Sequence, residues 1–301
     1  MENQKALNAS QNQAVKVGFN WHRARRIIIN IFFYILLLGM CAFVLFPIGW
    51  MFTVSLKPNN IPVFTIPPEF FPTQYWNWAN YPEALLSPFR PFLRYTANTV
   101  LIFLGNVVGT LISCSLVAFA FARLRFRHKE LLFNILIITM LIPWQVTMIP
   151  TFLMFHRLGW YGTYLPLIVP SFFGSAFFIF LIRQYMRTLP MELDEAARID
   201  GCGFFQIYWR IILPLTAPVL TVVVVFLFLN SWGDLLGPLI YLDNNDKFTV
   251  AIGLANFATR ANPSNNLLMA ANLIMMIPPL LLFFFAQDKL IGGIASVGLK
   301  G

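Results

Sequence analysis

Few side chains in this sequence are suited to acid–base, metal or thiol chemistry, and their spacing does not gather them into one site. Each of the three histidines adjoins an arginine at the end of an apolar stretch, which favours a polar interfacial role over a metal site. The cysteines form no C-x-x-C pair, so neither a disulfide framework nor a zinc site is indicated. These residues are His22, His128, His156, Cys41, Cys114 and Cys202.

The polar groups that do lie inside the apolar stretches are uncharged. All twelve acidic residues fall in tails, loops or the ends of these stretches, so a proton or sodium relay lacks its usual carboxylates. Buried amides suit a passage for a neutral polar solute, although hydrogen bonds between helices would explain them equally well. The candidate amides for such a path are Asn106, Gln145, Asn230 and Asn272.

The composition identifies the solvent of these stretches as a lipid bilayer. Of the 301 residues, 58% are hydrophobic and 11% charged, and the mean hydropathy is +0.69. Soluble domains carry about 25% charged residues, and a soluble fold of this composition would expose large apolar patches. We therefore predict an all-α polytopic membrane protein with six transmembrane helices.

Six apolar runs are long enough to cross a bilayer. The first follows a polar segment and lacks an A-x-A cleavage pattern, so we interpret it as an anchor, not as a signal peptide. This gives a tail at 1–26, a first span at 27–52, an external loop at 53–95 and a core domain at 96–301. The six predicted spans are 27–52, 97–122, 131–154, 164–185, 211–230 and 267–287.

The distribution of Lys and Arg sets the predicted orientation. Most of the 21 basic residues flank the spans on the side that holds both termini, which places the termini in the cytoplasm. The net charge of +9 therefore reflects anchoring beside anionic lipid, and no basic stripe of the kind that binds nucleic acid is present. In this interpretation the run RLRFRHK, residues 123–129, is a topology anchor.

The cytoplasmic connection between the fourth and fifth spans, residues 189–214, is a polar insert with helix signals. Pro190 suits a first turn, and the acidic residues that follow favour the positive end of a helix dipole. Gly201 is a predicted C-cap, and Gly203 starts a second, aromatic-rich helix that runs to Pro214. Ala196 and Ala197 would leave a smooth surface for a partner, although any connector needs caps and turns.

This insert resembles the EAA loop of permease subunits of bacterial binding-protein-dependent ABC importers. The pattern EAA, three residues, Gly, nine residues, Ile, one residue, Leu-Pro is met at every fixed position. The segments FARLRF, IPWQVTMIP, LPMELDEAARIDG and GGIASVGLKG, together with SLKP at 55–58, are similar to the second permease of maltose-type and glycerol-phosphate-type uptake systems. The resemblance covers about residues 94–301.

The resemblance implies a subunit that moves a sugar or oligosaccharide across the bacterial cytoplasmic membrane. Implied partners are a second permease, two cytoplasmic ATPases and an extracytoplasmic solute-binding protein. The chain would bind no cofactor itself, because ATP and Mg²⁺ belong to the ATPases and no phosphate-binding loop is present. The residues implied in ATPase docking are Glu195, Ala196, Ala197, Asp200, Gly201, Leu213 and Pro214.

One corner departs from the family pattern. After the fifth span the family has Trp-Asn-acid-aromatic, whereas this chain has Trp232-Gly233-Asp234-Leu235. We predict that Trp232 and Asp234 lie on the solute path, with an interfacial Trp beside a helix-ending Gly as the structural alternative. Two other functions stay open: an ion-driven secondary carrier, which needs intramembrane carboxylates or a repeat, and a membrane enzyme, which needs a clustered catalytic set.

Overall fold

The computed structural model describes residues 21–58, 69–72, 75–86, 91–258 and 265–298. Most of the predicted tail at 1–26 and part of the predicted external loop lie outside the described residues. The chain divides into two compact units, residues 1–51 and 52–301. The first contains most of one long helix, and the second contains the remaining elements.

Every regular element in the described residues is helical. We number the α-helices α1 to α14; short 3-10 turns cover Val169–Phe173 and Asn245–Lys247, and a π-helical turn covers Tyr208–Ile212. The helices are α1 Trp21–Ser55, α2 Asn80–Leu86, α3 Phe92–Arg123, α4 Lys129–Thr139, α5 Trp144–Arg157, α6 Leu165–Ile168, α7 Ala176–Met186, α8 Glu192–Ile199, α9 Phe204–Ile207, α10 Leu213–Leu215, α11 Ala217–Gly233, α12 Leu236–Tyr241, α13 Val250–Ala258 and α14 Asn265–Gly298.

Four of the described helical segments are long and apolar enough to cross a membrane unbroken, and two bent pairs raise the number to six. The unbroken segments are Arg25–Ser55, Phe92–Arg123, Leu165–Met186 and Asn265–Gln287. This agrees with the prediction of six spans. The third and fifth predicted spans are the bent ones.

Prolines account for the two bends. Helices α4 and α5 meet at 91° across a break that ends at Pro143. The segment Phe204–Leu215 meets α11 at 72°, with Pro214 and Pro218 on either side of the break. A proline removes a backbone donor and clashes with the preceding turn, so each break falls where the helical ladder cannot continue.

Helix α3 lies at the centre of the second unit. The half of α3 that ends at Arg123 packs with α7, α11 and the π-helical turn Tyr208–Ile212 around Phe119, Ile182 and Tyr208. Its other half packs with α2, α13 and α14 around Phe92 and Phe257, whose rings stack at 5.6 Å. The packing of both clusters therefore fixes the position of α3.

The small residues of α3 allow one very close helix contact. A Cβ atom on Gly105 would lie 2.7 Å from Ile168, and one on Gly109 would lie 2.1 Å from the Ser171 hydroxyl. Ser113 on the same face donates a hydrogen bond to the Ser171 carbonyl at 2.9 Å. This face of small residues therefore packs closely against the segment 165–173 of the same chain.

Candidate functional site

The polar insert forms the predicted helix, turn and second helix. Helix α8 begins at Glu192, two residues after Pro190, and ends at Ile199 with Asp200 as its C-cap. Gly201 has φ +79°, in the left-handed region that glycine tolerates best. The Gly203 N–H then donates to the Gln206 side chain and caps the second helix. The order of helix, glycine turn and second helix is as predicted, but the C-cap is Asp200, with Gly201 directly after it, and Pro190 precedes the N-cap Met191.

The surface that α8 presents differs from the predicted one. Glu195, Ala196 and Asp200 are exposed, but Ala197 is only 5% exposed and packs into the core cluster around α3. The prediction of a smooth surface made by both alanines is therefore wrong for Ala197, because its Cβ faces the core. Ile199, which the sequence reasoning did not select, is 87% exposed and is the most prominent apolar group of the helix.

Leu213 and Pro214 lie apart from this exposed surface. They form α10 with Leu215, directly before the 72° bend into α11. Leu213 packs against the core cluster and Pro214 is exposed. Their place in the motif therefore corresponds to the bend that turns the polar insert into the fifth span.

A buried ion pair joins α8 to the end of α3. Nη1 of Arg123 lies 3.0 Å from Oδ2 of Asp194, and the two side chains are 2% and 3% exposed. The guanidinium also donates to the Leu189 carbonyl at 3.0 Å. The interpretation of Arg123 as a lipid-facing anchor is therefore wrong, because its charge is paired inside the protein. Sequence spacing gave no signal for this contact.

Burial dominates the electrostatics of that pair. It raises the pKa of the Asp194 carboxyl above its usual range, and the guanidinium groups of Arg123 and Arg198 only partly oppose the shift. Neither carboxylate oxygen accepts a well-aligned hydrogen bond within the described residues. The two side chains therefore attract each other mainly as opposite charges at short distance. Removal of either side chain would leave the other charge buried without a partner.

A separate cavity of about 570 Å³ lies between α3, α5, α6, α11 and α12. It brings together three of the predicted path residues, Asn106, Asn230 and Asp234, with the indole of Trp144. Among its lining residues Asp234 is the only charged one. The sequence reasoning missed Trp144, although its neighbour Gln145 was selected. The lining therefore combines hydrogen-bonding amides, one carboxylate and one aromatic face.

The other three predicted path residues do not line this cavity. Gln145 is exposed next to Trp144, and Asn272 is half-buried on α14. The indole of Trp232 donates to the Met275 carbonyl at 3.0 Å and stacks on Phe228 at 5.2 Å. Trp232 is therefore a packing residue against α14, which supports the structural alternative for that position.

Asp234 is held by the turn that follows α11. Its Oδ1 accepts a hydrogen bond from the Gly237 N–H at 3.0 Å. Burial raises the pKa of this carboxyl above its usual range, and the hydrogen bond from Gly237 opposes the shift. Asp234 is thus half-buried at the end of α11. Its second oxygen can accept a hydrogen bond from a molecule in the cavity.

Comparisons with known proteins agree with this architecture. Residues 105–295 match the family described as the binding-protein-dependent transport system inner membrane component. The chain is 36% identical over 210 residues to the arabinooligosaccharides transport system permease protein AraQ of Halalkalibacterium halodurans, covering 70% of this chain and 75% of that protein. It is 27% identical over 281 residues to the maltose/maltodextrin transport system permease protein MalG of Yersinia pestis, covering 88% and 92%.

A solved structure shares the fold. It is a crystal structure of a bacterial ABC transporter involved in the import of the acidic polysaccharide alginate. The matched chain superposes with a TM-score of 0.75 at 23% identity, covering 88% of this chain and 97% of that one.

Proposed function

The chain belongs to the family of binding-protein-dependent transport system inner membrane components, and from that premise we propose that it forms one half of the path for a neutral sugar or oligosaccharide. The observation that carries the proposal is the cavity lined by Asn106, Trp144, Asn230 and Asp234. Amides and a carboxylate hydrogen-bond to sugar hydroxyls, and an indole offers an apolar face to a sugar ring.

The charge of the cavity favours a neutral cargo. Its lining holds one carboxylate and no Lys, Arg or His. An acidic sugar would bring a second negative charge close to Asp234 in a poorly solvated place, which is unfavourable. Relatives named for arabinooligosaccharides and for maltose and maltodextrin support the same class.

The proposed partners follow from the family. A second permease would complete the path, an extracytoplasmic binding protein would deliver the solute, and two cytoplasmic ATPases would supply the energy. The chain itself would catalyse no reaction and hold no cofactor; ATP and Mg²⁺ would bind to the ATPases. Both termini and the segment 189–214 would face the cytoplasm of a bacterial cell, as the positive-inside rule predicts.

Helix α8 is the proposed contact with the ATPases. Glu195 and Asp200 are exposed beside Ile199, which is 87% exposed, so a groove with basic and apolar residues would complement this surface. Movement of the ATPases during hydrolysis would displace α8 and change access to the cavity. An ion-driven carrier is disfavoured because the predicted spans hold no carboxylate at mid-membrane.

Reconstitution tests this proposal. The chain is co-expressed with the second permease and the ATPases, placed in proteoliposomes with the binding protein, and assayed with radiolabelled arabinotriose, maltotriose and trigalacturonate. We expect ATP-dependent uptake of a neutral trisaccharide and none of trigalacturonate. Uptake driven by a sodium or proton gradient without ATP would overturn the assignment.

A further inference from the structure

Helix α3 differs from the other predicted spans in lacking proline. Each of the other five spans contains at least one proline, and span 97–122 contains none. In the structure α3 runs unbroken from Phe92 to Arg123, whereas the third and fifth spans bend by 91° and 72°. An α-helix with an intact hydrogen-bond ladder resists bending, because sharp kinks arise mainly where that ladder is interrupted. A displacement at one end of α3 is therefore carried to the other end.

The two proposed working parts of the molecule both contact α3. At its cytoplasmic end, Arg123 pairs with Asp194 of α8. Farther along, Ile102 and Asn106 of α3 line the cavity. Asn106 and Arg123 are separated by about 25 Å at 1.5 Å per residue. One straight helix thus spans the distance between the proposed ATPase contact and the proposed solute path.

The contact between α8 and α3 is a buried, charged one that opposes separation of the two helices. The guanidinium of Arg123 forms an ion pair with the Asp194 carboxylate at 3.0 Å and donates a hydrogen bond to the Leu189 carbonyl at 3.0 Å. It therefore contacts both α8 and the segment before it. Both side chains are almost fully buried. Pulling α8 away would leave two uncompensated charges in a poorly solvated place, which is strongly unfavourable.

A second buried arginine ties α7 to the same end of α3. Nε of Arg183, on α7, donates to the Phe121 carbonyl at 3.2 Å, and its guanidinium lies 3.7 Å from the centre of the Phe133 ring. The polar partners of Arg183 within the described residues lie outside α8. The direct charged connection between α8 and the bundle, within the described residues, is therefore the Arg123–Asp194 pair.

We propose that Arg123 and Asp194 are positioning residues that transmit movement of α8 to α3, and that α3 carries this movement to the cavity wall at Ile102 and Asn106. The proposal rests on the proposed function, in which the ATPases displace α8. The pair touches neither nucleotide nor solute. Its effect is on how many solute molecules are moved for each ATP hydrolysed.

The test compares two conservative carboxylate changes on the same helix. Asp194→Asn removes the buried charge with little change of shape, and Glu192→Gln removes an exposed charge as the matched control. The complete importer is assayed in proteoliposomes with binding protein and the neutral trisaccharide that the wild type transports. For Asp194→Asn we expect the ATPases to co-purify and to hydrolyse ATP while uptake per ATP falls about 5- to 150-fold, the usual range for coupling between sites.

A distance measurement separates transmission from general loss of structure. Spin labels on Leu193 of α8 and Leu104 of α3, both exposed, report the spacing of the two helices before and after trapping the ATPases with vanadate. In the wild type and in Glu192→Gln the spacing should stay constant, because the helices move together. In Asp194→Asn it should change on trapping.

The outcomes distinguish this inference from the proposed function. Absence of ATP-driven uptake in the wild type would refute the function itself. Wild-type uptake per ATP in Asp194→Asn, or a constant spacing in that variant, would refute only the transmission role. If Asp194→Asn and Arg123→Lys both fail to assemble while Glu192→Gln assembles, the pair only stabilises the fold of the polar insert. That result would also refute the transmission role.

Discussion

At the scale of single residues, Gly201 is the strictest position of the polar insert. It adopts φ +79°, and no atom lies within 4 Å of a Cβ placed there, so the backbone angle alone selects glycine. Gly203, two residues later, also has open space but an extended backbone with φ −73°. Both positions have room for a side chain, but only Gly201 has a backbone conformation that favours glycine.

Gly201→Val should uncouple the importer, and Gly203→Val should not. A β-branched residue in the left-handed region costs about 1–2 kcal/mol or more, so the turn after α8 would change shape. The measurement is co-purification of the ATPases together with solute-stimulated ATP hydrolysis in proteoliposomes. Equal behaviour of the two variants would contradict a role for the turn.

Ile199 provides a second residue-scale prediction. Because it is 87% exposed, Ile199→Ser should leave folding unchanged while removing the apolar group of the proposed ATPase contact. We expect less ATPase to co-purify, with unchanged pairing to the second permease. Undiminished co-purification would show that the contact lies elsewhere on α8.

Asp234 should govern part of the pH dependence of uptake. Its folded-state pKa is raised by burial, so the cavity loses its charge at a pH above that at which an ordinary aspartate is protonated. Protonation of such a group stabilises the folded chain, so Asp234 does not contribute to unfolding in acid. We expect uptake to fall on mild acidification. Protonation of Asp234 should not lower the melting temperature.

Asp234→Asn is the variant that checks this explanation. Its amide oxygen can still accept the Gly237 N–H, so the turn should persist. Uptake should be reduced at neutral pH, and the acidic limb of the pH profile should flatten. An unaltered profile would assign the pH dependence to another group.

At the scale of elements, the close contact of α3 with the segment 165–173 depends on glycine. Gly109→Val would place its side chain into the Ser171 hydroxyl and the Phe172 ring, whereas Gly39→Val on α1 meets no atom within 4 Å of its Cβ. Overpacking costs typically about 1–3 kcal/mol. We expect Gly109→Val to lower the melting temperature in detergent and Gly39→Val to change it little.

The bent elements show how the sequence signals should be interpreted. Five of the six predicted spans contain proline, and two of the six are sharply bent. The unbroken α3 and the broken third span both border the cavity. The absence of proline agrees with the unbroken α3, whereas the presence of proline does not by itself predict a sharp bend, because α1 and α14 contain proline and are unbroken.

At the scale of the whole molecule, the topology is the most direct prediction to check. Single cysteines are introduced into a chain in which Cys41, Cys114 and Cys202 are replaced by serine. Ala79 and Asn244 are exposed positions in the proposed external loops, and Gln206 is exposed in the proposed cytoplasmic insert. An impermeant reagent should label the first two in whole cells and should label Gln206 only after lysis. Labelling of Gln206 from outside would refute the six-span orientation.

The sequence by itself determined the class of protein and the position of its motif. Apolar runs of bilayer length predict spans because each helix must satisfy its own backbone in lipid, and this depends on local composition alone. The turn at Gly201 and the cap at Gly203 are likewise local, so their signals can be recognised in a single stretch. The division into a tail, a first span, a loop and a core domain stays a prediction.

The tertiary structure alone decided which of these residues meet. Asp194 pairs with Arg123 from another span, Ala197 faces the core, and Trp144 joins Asn106, Asn230 and Asp234 at the cavity. The sequence also placed Trp232 on the solute path, but Trp232 packs on α14. Periodicity and caps specify how each helix forms, whereas the partner of a side chain depends on how distant helices pack, because ridges, grooves and bends at proline set which faces touch.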